Sequence, residues 1–298
     1  MLFITGATGF TGSHLIREVR HQGIKDVKCL IRNIKRGPEH SPRFDLLEGD
    51  LESFHLLNNP LKDVRTIIHL AASIKSDETT IYNTNIIGTR SLIDEAIKAG
   101  VEKGIFISTD SVRRDFRGSY ENSKLEGEEI IINSGIKYTI LRPGMVYGPG
   151  DSGFIGTLIK YVQKYPVIPV IGNGNYKKQP IYVLDLINAI LSLINNSSTD
   201  KKIYELGGST AVSFNEMIDT ICSILNKRRI KLHIPKSILL VSVKLANLLM
   251  PSMRFSDLKV RHACRDSIID YREASRDFGF SPLSFAQGLK NTLAERKK

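Results

Sequence analysis

The chain opens with an apolar run, Leu2-Phe3-Ile4, that meets Thr5-Gly6-Ala7-Thr8-Gly9-Phe10-Thr11-Gly12 and then the helical pattern Ser13-His14-Leu15-Ile16. A strand that ends in glycines and passes straight into a helix leaves few folds open. Gly6 permits a tight turn, Gly9 lets backbone approach a pyrophosphate, and Gly12 lets the helix pack against the strand. The free N–H groups and dipole of the helix then attract the anion. The segment predicts a dinucleotide-binding strand–turn–helix in which Gly6, Thr8, Gly9, Phe10, Thr11 and Gly12 border the phosphates.

At 298 residues, 41% hydrophobic and 24% charged, the chain is long enough for one large domain or a major domain with a smaller lobe. The first strand begins almost at the first residue, so no secretory leader is expected. The longest apolar stretch, Ile238 to Met250, contains Lys244 and falls short of the roughly 20 residues that span a bilayer, so it reads as a buried or lid helix. Cys29, Cys222 and Cys264 are odd in number and far apart, which predicts neither a metal site nor a disulfide framework and fits reduced thiols in the cytoplasm. The net charge of +11 is dispersed, apart from Lys227-Arg228-Arg229 and Arg296-Lys297-Lys298. Without a recognised nucleic-acid motif this describes a solvated surface that also suits small anionic ligands, and no nucleic-acid partner is expected.

Apolar, β-branched runs recur at Val27 to Ile31, Phe44 to Glu48, Thr66 to Leu70, Gly104 to Ser108 and Tyr138 to Leu141, with helical stretches between them. That rhythm predicts an α/β fold, a doubly wound parallel sheet covered on both faces, with ligand at the carboxyl ends of the strands. After Arg142 to Gly150 the rhythm breaks. Residues 1–150 are expected to form the dinucleotide-binding domain, also receiving about 181–206, and residues 151–298 mostly a smaller, discontinuous substrate-binding lobe. Ser213-Phe214-Asn215-Glu216 has capping-box spacing ahead of a helical stretch, and Gly279-Phe280-Ser281-Pro282 separates two C-terminal helices.

Tyr120-Glu121-Asn122-Ser123-Lys124 starts another helical stretch, with Tyr120 and Lys124 four apart on one face. A phenol of ordinary pKa about 10 is a poor base, and a neighbouring ammonium would stabilise its phenolate for proton exchange with an alcohol or ketone. Together with the glycine turn, Y-x-x-S-K resembles the extended short-chain dehydrogenase/reductase family, the NAD-dependent epimerase/dehydratase family. Six further segments follow in family order: Gly49-Asp50-Leu51, His69-Leu70-Ala71-Ala72, Asn85-Ile86-Ile87-Gly88-Thr89, the strand end before Thr109, Arg142 to Gly150, and Tyr182-Val183-Leu184-Asp185. The resemblance implies catalysis by Thr109, Tyr120 and Lys124. It also implies cofactor contacts at Asp50, Leu51, Leu70, Ala71, Ala72, Asn85, Ser108, Tyr120, Lys124, Pro143, Gly144 and Val146, with Lys124 holding the nicotinamide ribose, and dimerisation through the helices near Asn85 and Tyr120. The second strand ends at Arg32 where NAD-selective relatives carry an acid, and a guanidinium suits a 2′-phosphate, so NADP is favoured over NAD.

The resemblance implies an NAD(P)-dependent epimerase or oxidoreductase acting on a nucleotide sugar or a related hydroxyl or keto substrate. Departures weaken the sugar diphosphate: the span from Thr109 to Tyr120 is short, Arg113-Arg114 replaces Tyr-Gly, and Met145 stands where many relatives carry Asn. Asp110, Arg113, Met145 and Lys178 are the substrate-facing candidates. Two alternatives stand beside this. The apolar 238–250 stretch suits a reductase of a lipophilic carbonyl, and the short gap resembles the atypical branch related to the complex I 39-kDa subunit, which suggests an NADP(H)-binding assembly protein without turnover.

Overall fold

The computed structural model describes residues 1–36, 44–74, 77–238 and 264–295. Most of the apolar stretch from Ile238 to Met250, and the terminal Arg296-Lys297-Lys298 cluster, lie outside the described residues. The chain divides into two compact units, the first comprising Met1–Pro143, Val183–Leu206 and Asp270–Ser281, the second Gly144–Tyr182, Gly207–Ile269 and Pro282–Lys298.

In the first unit β1 (Leu2–Thr5), β2 (Val27–Ile31), β3 (Phe44–Glu48), β4 (Thr66–His69), β5 (Lys103–Ile107) and β6 (Lys137–Pro143) lie in one sheet, joined by a late strand, β11 (Lys202–Leu206). The order is β11-β6-β5-β4-β1-β2-β3, with every pairing parallel. This is the doubly wound, Rossmann-like sheet expected from the alternating pattern. Every residue of β1 and β4 is buried, as central strands covered on both faces require, whereas edge strand β3 is only partly buried. Chain order reverses between β1 and β4, which places a crevice at their carboxyl ends.

The helices of this unit are α1 (Phe10–His21), α2 (Glu78–Tyr82), α3 (Gly88–Lys98) and α4 (Ser119–Ile132). Phe3, Phe54, Leu92, Phe106 and Ile140 are among the buried side chains of its core. The 181–206 segment expected in the dinucleotide-binding domain divides between the units. Its helix, α6 (Val183–Leu193), belongs to the first, while β10 (Ile181–Tyr182) pairs with β7 (Val146–Tyr147) in the second. The strand that extends the main sheet in this region is β11.

The second unit is built from small sheets and helices: α5 (Phe154–Lys164), β8 (Val167–Ile171), β9 (Lys177–Lys178), β12 (Val212–Ser213), α7 (Phe214–Ile224), β13 (Ile230–Ile234) and, near the C-terminus, α9 (Phe285–Glu295). Helix α8 (Arg272–Phe278) returns to the first unit and ends at Gly279 with φ +72°. The capping box forms as spaced: Ser213 Oγ accepts the Glu216 N–H at 3.1 Å and the Glu216 carboxylate accepts the Ser213 N–H at 2.6 Å.

Two glycines set how close α1 comes. Gly6 has φ +75°, and a Cβ there would lie 2.7 Å from the Ala71 nitrogen; a Cβ on Gly12 would lie 2.0 Å from the Gly6 carbonyl oxygen. Backbone blocks both positions, so no rotamer relieves the clash. Gly12→Ala is therefore expected to destabilise the protein by about 2–4 kcal/mol in urea denaturation; a change within about 0.5 kcal/mol would show that α1 can shift freely.

Candidate active site

The turn at Gly6 places the start of α1 over the carboxyl end of β1. Gly9 precedes α1 with extended backbone, no side chain caps the helix, and its first turn carries no acid. The opening N–H groups of α1 are therefore left to another acceptor, and the dipole favours a negative one. A Cβ on Gly9 would have only the Gly6 carbonyl oxygen within 4 Å, at 3.3 Å, so bare backbone faces outward there. Thr8 is exposed, Thr11 is half-buried, and Phe10 meets the His14 ring edge-on at 5.3 Å. These features fit a pyrophosphate cradle.

Around the cradle, Arg32 stands exposed just past β2, Asp50 follows β3 with its carboxylate accepting the Glu52 N–H at 3.1 Å, and Leu51 is buried. The 70–72 segment leaves β4 against the glycine turn: Leu70 N–H donates to the Thr5 carbonyl at 3.2 Å and Ala71 N–H to Thr5 Oγ1 at 3.3 Å.

A buried hydrogen-bond chain starts from that contact. Thr5 Oγ1 lies 2.7 Å from His69 Nδ1, and His69 Nε2 lies 3.2 Å from Thr89 Oγ1, which donates its only hydrogen to the Asn85 carbonyl at 2.7 Å. The partners assign the tautomer: Nε2 carries the proton and Nδ1 accepts from Thr5. Burial, and after it the charge of Lys124, holds the His69 pKa down at about 3, so the ring is neutral. The Asn85 amide donates to the Ser73 carbonyl at 3.0 Å and to Ser123 Oγ at 2.9 Å and accepts the Ser73 N–H at 2.7 Å. Ser123 in turn donates to the Tyr120 carbonyl at 2.8 Å. Asn85 thus holds the loop after β4 to the first turn of α4. Sequence reasoning misses His69 and Ser123 as site residues, because Thr5, Thr89 and Asn85, to which they bond, are remote in the chain; His69's place at the head of H-L-A-A is the one signal.

Tyr120 and Lys124 lie in the first turns of α4, where the Glu121 carboxylate accepts the Gly118 N–H at 3.0 Å. Both are half-buried. Thr109 ends the β5 segment and caps a short 3-10 turn, its Oγ1 accepting the Ser111 N–H at 3.3 Å and lying 3.2 Å from Ser111 Oγ. Burial pushes the Tyr120 phenol up to about 12, with the carboxylates of Glu121 and Asp110 acting in the same direction. The phenol lowered by its lysine neighbour, expected from spacing alone, is not what the environment produces here. Burial pushes the Lys124 ammonium down to about 8, against the pull of Glu128 one turn further along. Glu128 is itself buried and takes both Arg142 Nε at 3.0 Å and Nη2 at 2.5 Å. A small cavity beside Lys124 is lined by His69, Thr89, Ser108 and Glu128. The buried Ser108 Oγ has no hydrogen-bond partner among the described residues.

Of the substrate-facing candidates, Asp110 is buried beside Thr109, and Arg113 is ion-paired with Glu205 of β11 in the same unit. Pro143 closes β6 in the first unit. Gly144, Met145, Val146 and Lys178 belong to the second unit. There the Met145 carbonyl accepts the Ile181 N–H at 2.9 Å, Val146 pairs with Ile181, and Lys178 Nζ donates to the Arg265 carbonyl at 2.6 Å. Among the described residues no His, Cys, Asp and Glu gather as a metal cluster, and no helix is long and apolar enough to cross a membrane.

Lys124 carries a stability consequence. Its folded pKa of about 8 lies below the ordinary 10.5, so between those values the unfolded chain binds more protons and stability rises with pH. At pH 7 the full desolvation penalty is present. Lys124→Met is expected to raise Tm at pH 7 by roughly 2 °C or more, the advantage shrinking from pH 8 to 10.5; an unchanged or lower Tm at pH 7 would show that the ammonium is well solvated.

The model of the NAD dependent epimerase/dehydratase family matches residues 2–207. A UDP-glucose 4-epimerase of Vibrio cholerae is 25% identical over 260 residues, 78% of each chain. The mitochondrial NADH dehydrogenase (ubiquinone) 1 alpha subcomplex subunit 9 of Dictyostelium discoideum is 29% identical over 229 residues, 73% of this chain and 62% of that protein. Among solved structures, MoeE5 in complex with UDP-glucuronic acid and NAD superposes with a TM-score of 0.79 at 24% identity, covering 100% of this chain and 99% of that one.

Proposed function

Because the chain belongs to the NAD dependent epimerase/dehydratase family, we propose that it is an NAD(P)-dependent epimerase or oxidoreductase of the extended short-chain type, acting on a nucleotide sugar or a related hydroxyl or keto substrate. The observation that carries this reading is the first turn of α4, where Tyr120 and Lys124 share one face with their pKa values pushed to about 12 and about 8. Tyr120 exchanges the proton of the reacting oxygen and Thr109 orients that oxygen, while Lys124, by family resemblance, would hold the nicotinamide ribose. A bound nicotinamide would supply the hydride acceptor or donor for the reacting carbon. At neutral pH Tyr120 is a proton donor, the state that carbonyl reduction uses. Alcohol oxidation needs the phenolate, which burial and the carboxylates of Glu121 and Asp110 disfavour here.

The uncapped start of α1 and the bare backbone at Gly9 support a pyrophosphate site. Asp50, Leu51, Leu70, Ala71, Ala72, Asn85, Ser108, Pro143, Gly144 and Val146 are assigned to the cofactor by family resemblance. Exposed Arg32 supports NADP: its guanidinium suits a 2′-phosphate. The likeness to a UDP-glucose 4-epimerase supports a nucleotide sugar, with Asp110, Arg113, Met145 and Lys178 as its contacts and the second unit as the substrate lobe. Exposed Ile97 and Ile132 near the groove between α3 and α4 support a homodimer through those helices. Three free thiols support a cytoplasmic location. The likeness to subunit 9 favours a second reading, a cofactor-binding assembly protein.

The two readings separate on one substitution. With UDP- and dTDP-hexoses as substrates and products resolved by chromatography, Tyr120→Phe is expected to lower turnover by about 10²–10⁴-fold while nucleotide affinity stays within about twofold. Turnover that survives the change would remove Tyr120 from the chemistry; absence of turnover in a wild-type protein that binds nucleotide would favour the assembly reading.

For the cofactor, calorimetric titration is expected to show NADPH bound more tightly than NADH, and Arg32→Asp to weaken NADPH by roughly tenfold or more. Tighter binding of NADH by the wild type would overturn the preference.

A further inference from the structure

Strands β8 and β13 form a two-stranded parallel sheet in the second unit, with Val167 opposite Ile230, Ile168 opposite Lys231, Pro169 opposite Leu232 and Val170 opposite His233. A half-buried strand ordinarily turns apolar side chains inward and polar ones outward. β8 buries Ile168 and Val170. β13 reverses the rule. On the side shared with Ile168 and Val170 it carries Lys231 and His233, with Lys231 Nζ 2.8 Å from both carboxylate oxygens of Asp219 and His233 Nδ1 donating to the Gly172 carbonyl at 3.0 Å. Its apolar residues, Ile230 and Leu232, point the other way and are 67% and 54% exposed. With the exposed Val167 and Pro169 they make a continuous apolar outer face on the paired strands.

Apart from Asp219, which is paired with Lys231, the charged residues that adjoin the face in the sequence are basic. Residues 152–184 and 220–238 contain no Asp or Glu but carry four and five lysines and arginines respectively. Arg229 ties the start of β13 to the end of α5, donating from Nε to the Val162 carbonyl at 2.7 Å and from Nη2 to the Gln163 carbonyl at 3.3 Å. This brings Tyr161 and Tyr165, whose tilted rings lie 4.5 Å apart, and Lys164, 5.3 Å from the Tyr165 ring, to the border of the face. Lys227 and Arg228 are exposed beside them.

We infer that this face is a docking surface for an anionic lipid membrane. Ile230, Leu232 and Val167 enter the headgroup region, Tyr161 and Tyr165 sit at its boundary, and Lys164, Lys227 and Arg228 meet the lipid phosphates. A second copy of the chain fits less well, because a two-fold contact would set this positive border against its own like. A nucleic acid would satisfy the charges and leave the aliphatic side chains in water. The inference rests on the second unit alone and is independent of the redox reading.

Sedimentation of the full chain with phosphatidylcholine vesicles, with and without phosphatidylglycerol, tests it. The wild type is expected to bind the phosphatidylglycerol vesicles at least roughly tenfold more tightly than phosphatidylcholine alone, with affinity falling at high salt. The double variants Ile230→Ser/Leu232→Ser and Lys227→Glu/Arg228→Glu should each lose roughly tenfold or more, at a Tm close to wild type since all four side chains are exposed. No binding to phosphatidylglycerol vesicles, or binding undiminished in both variants, would overturn the inference. So would a wild-type dimer that becomes monomeric in Ile230→Ser/Leu232→Ser, which would assign the face to a second copy.

Discussion

The contact on which the first unit depends is the one between the ends of β1 and β4. Gly6 lies so close to Ala71 that a single added carbon would meet its nitrogen at 2.7 Å, and Thr5 and His69 are hydrogen-bonded side by side. From there the bonds run without a break: Ala71 to Thr5, Thr5 to His69, His69 to Thr89, Thr89 to Asn85, Asn85 to Ser123, Ser123 to the Tyr120 carbonyl. Each hydroxyl in the chain both donates and accepts, so the polar groups taken out of water there are satisfied. The anion cradle and the Tyr120 helix are thereby built on one rigid support. Small errors in the relative position of such groups are what cost most in catalysis.

The electrostatics of the site run against folding. Lys124 is held where its charge is poorly solvated, and Tyr120 where its phenolate is disfavoured. A buried Glu128, neutralised in part by Arg142, gives back some of what Lys124 loses. Groups kept away from their ordinary pKa values in a crevice are a mark of functional sites, where stability is traded for proton chemistry near neutral pH. Hydrogen-bonded His69, with both ring nitrogens engaged, lies on the structural side of that division.

Much of the fold was legible because its signals are local. The glycine spacing announced β1 and α1, the largely apolar runs gave β2 and β3 their limits, and Ser213 with Glu216 marked the start of α7. The helix carrying Tyr120 and Lys124 was equally plain. What could not be read is non-local. β11 mixes polar and apolar residues and becomes a sheet strand only because β6 offers it an open edge. The partner of Arg113 lies on β11, far along the chain, and the partners of His69 sit on β1 and α3. The rise of the Tyr120 pKa comes first from burial, which the Y-x-x-S-K spacing does not encode. The inverted pattern of β13 was in the sequence, but Ile230-Lys231-Leu232-His233-Ile234 alone does not say which face meets water.

The central claim is that the glycine turn holds a dinucleotide, and mass spectrometry of the small molecules released on denaturing freshly purified protein, followed by titration of any empty protein with NAD(H) and NADP(H), tests it most directly. The account predicts one dinucleotide bound per chain, either retained through purification or taken up on titration. A protein that releases none and binds none of the four nucleotides would contradict it.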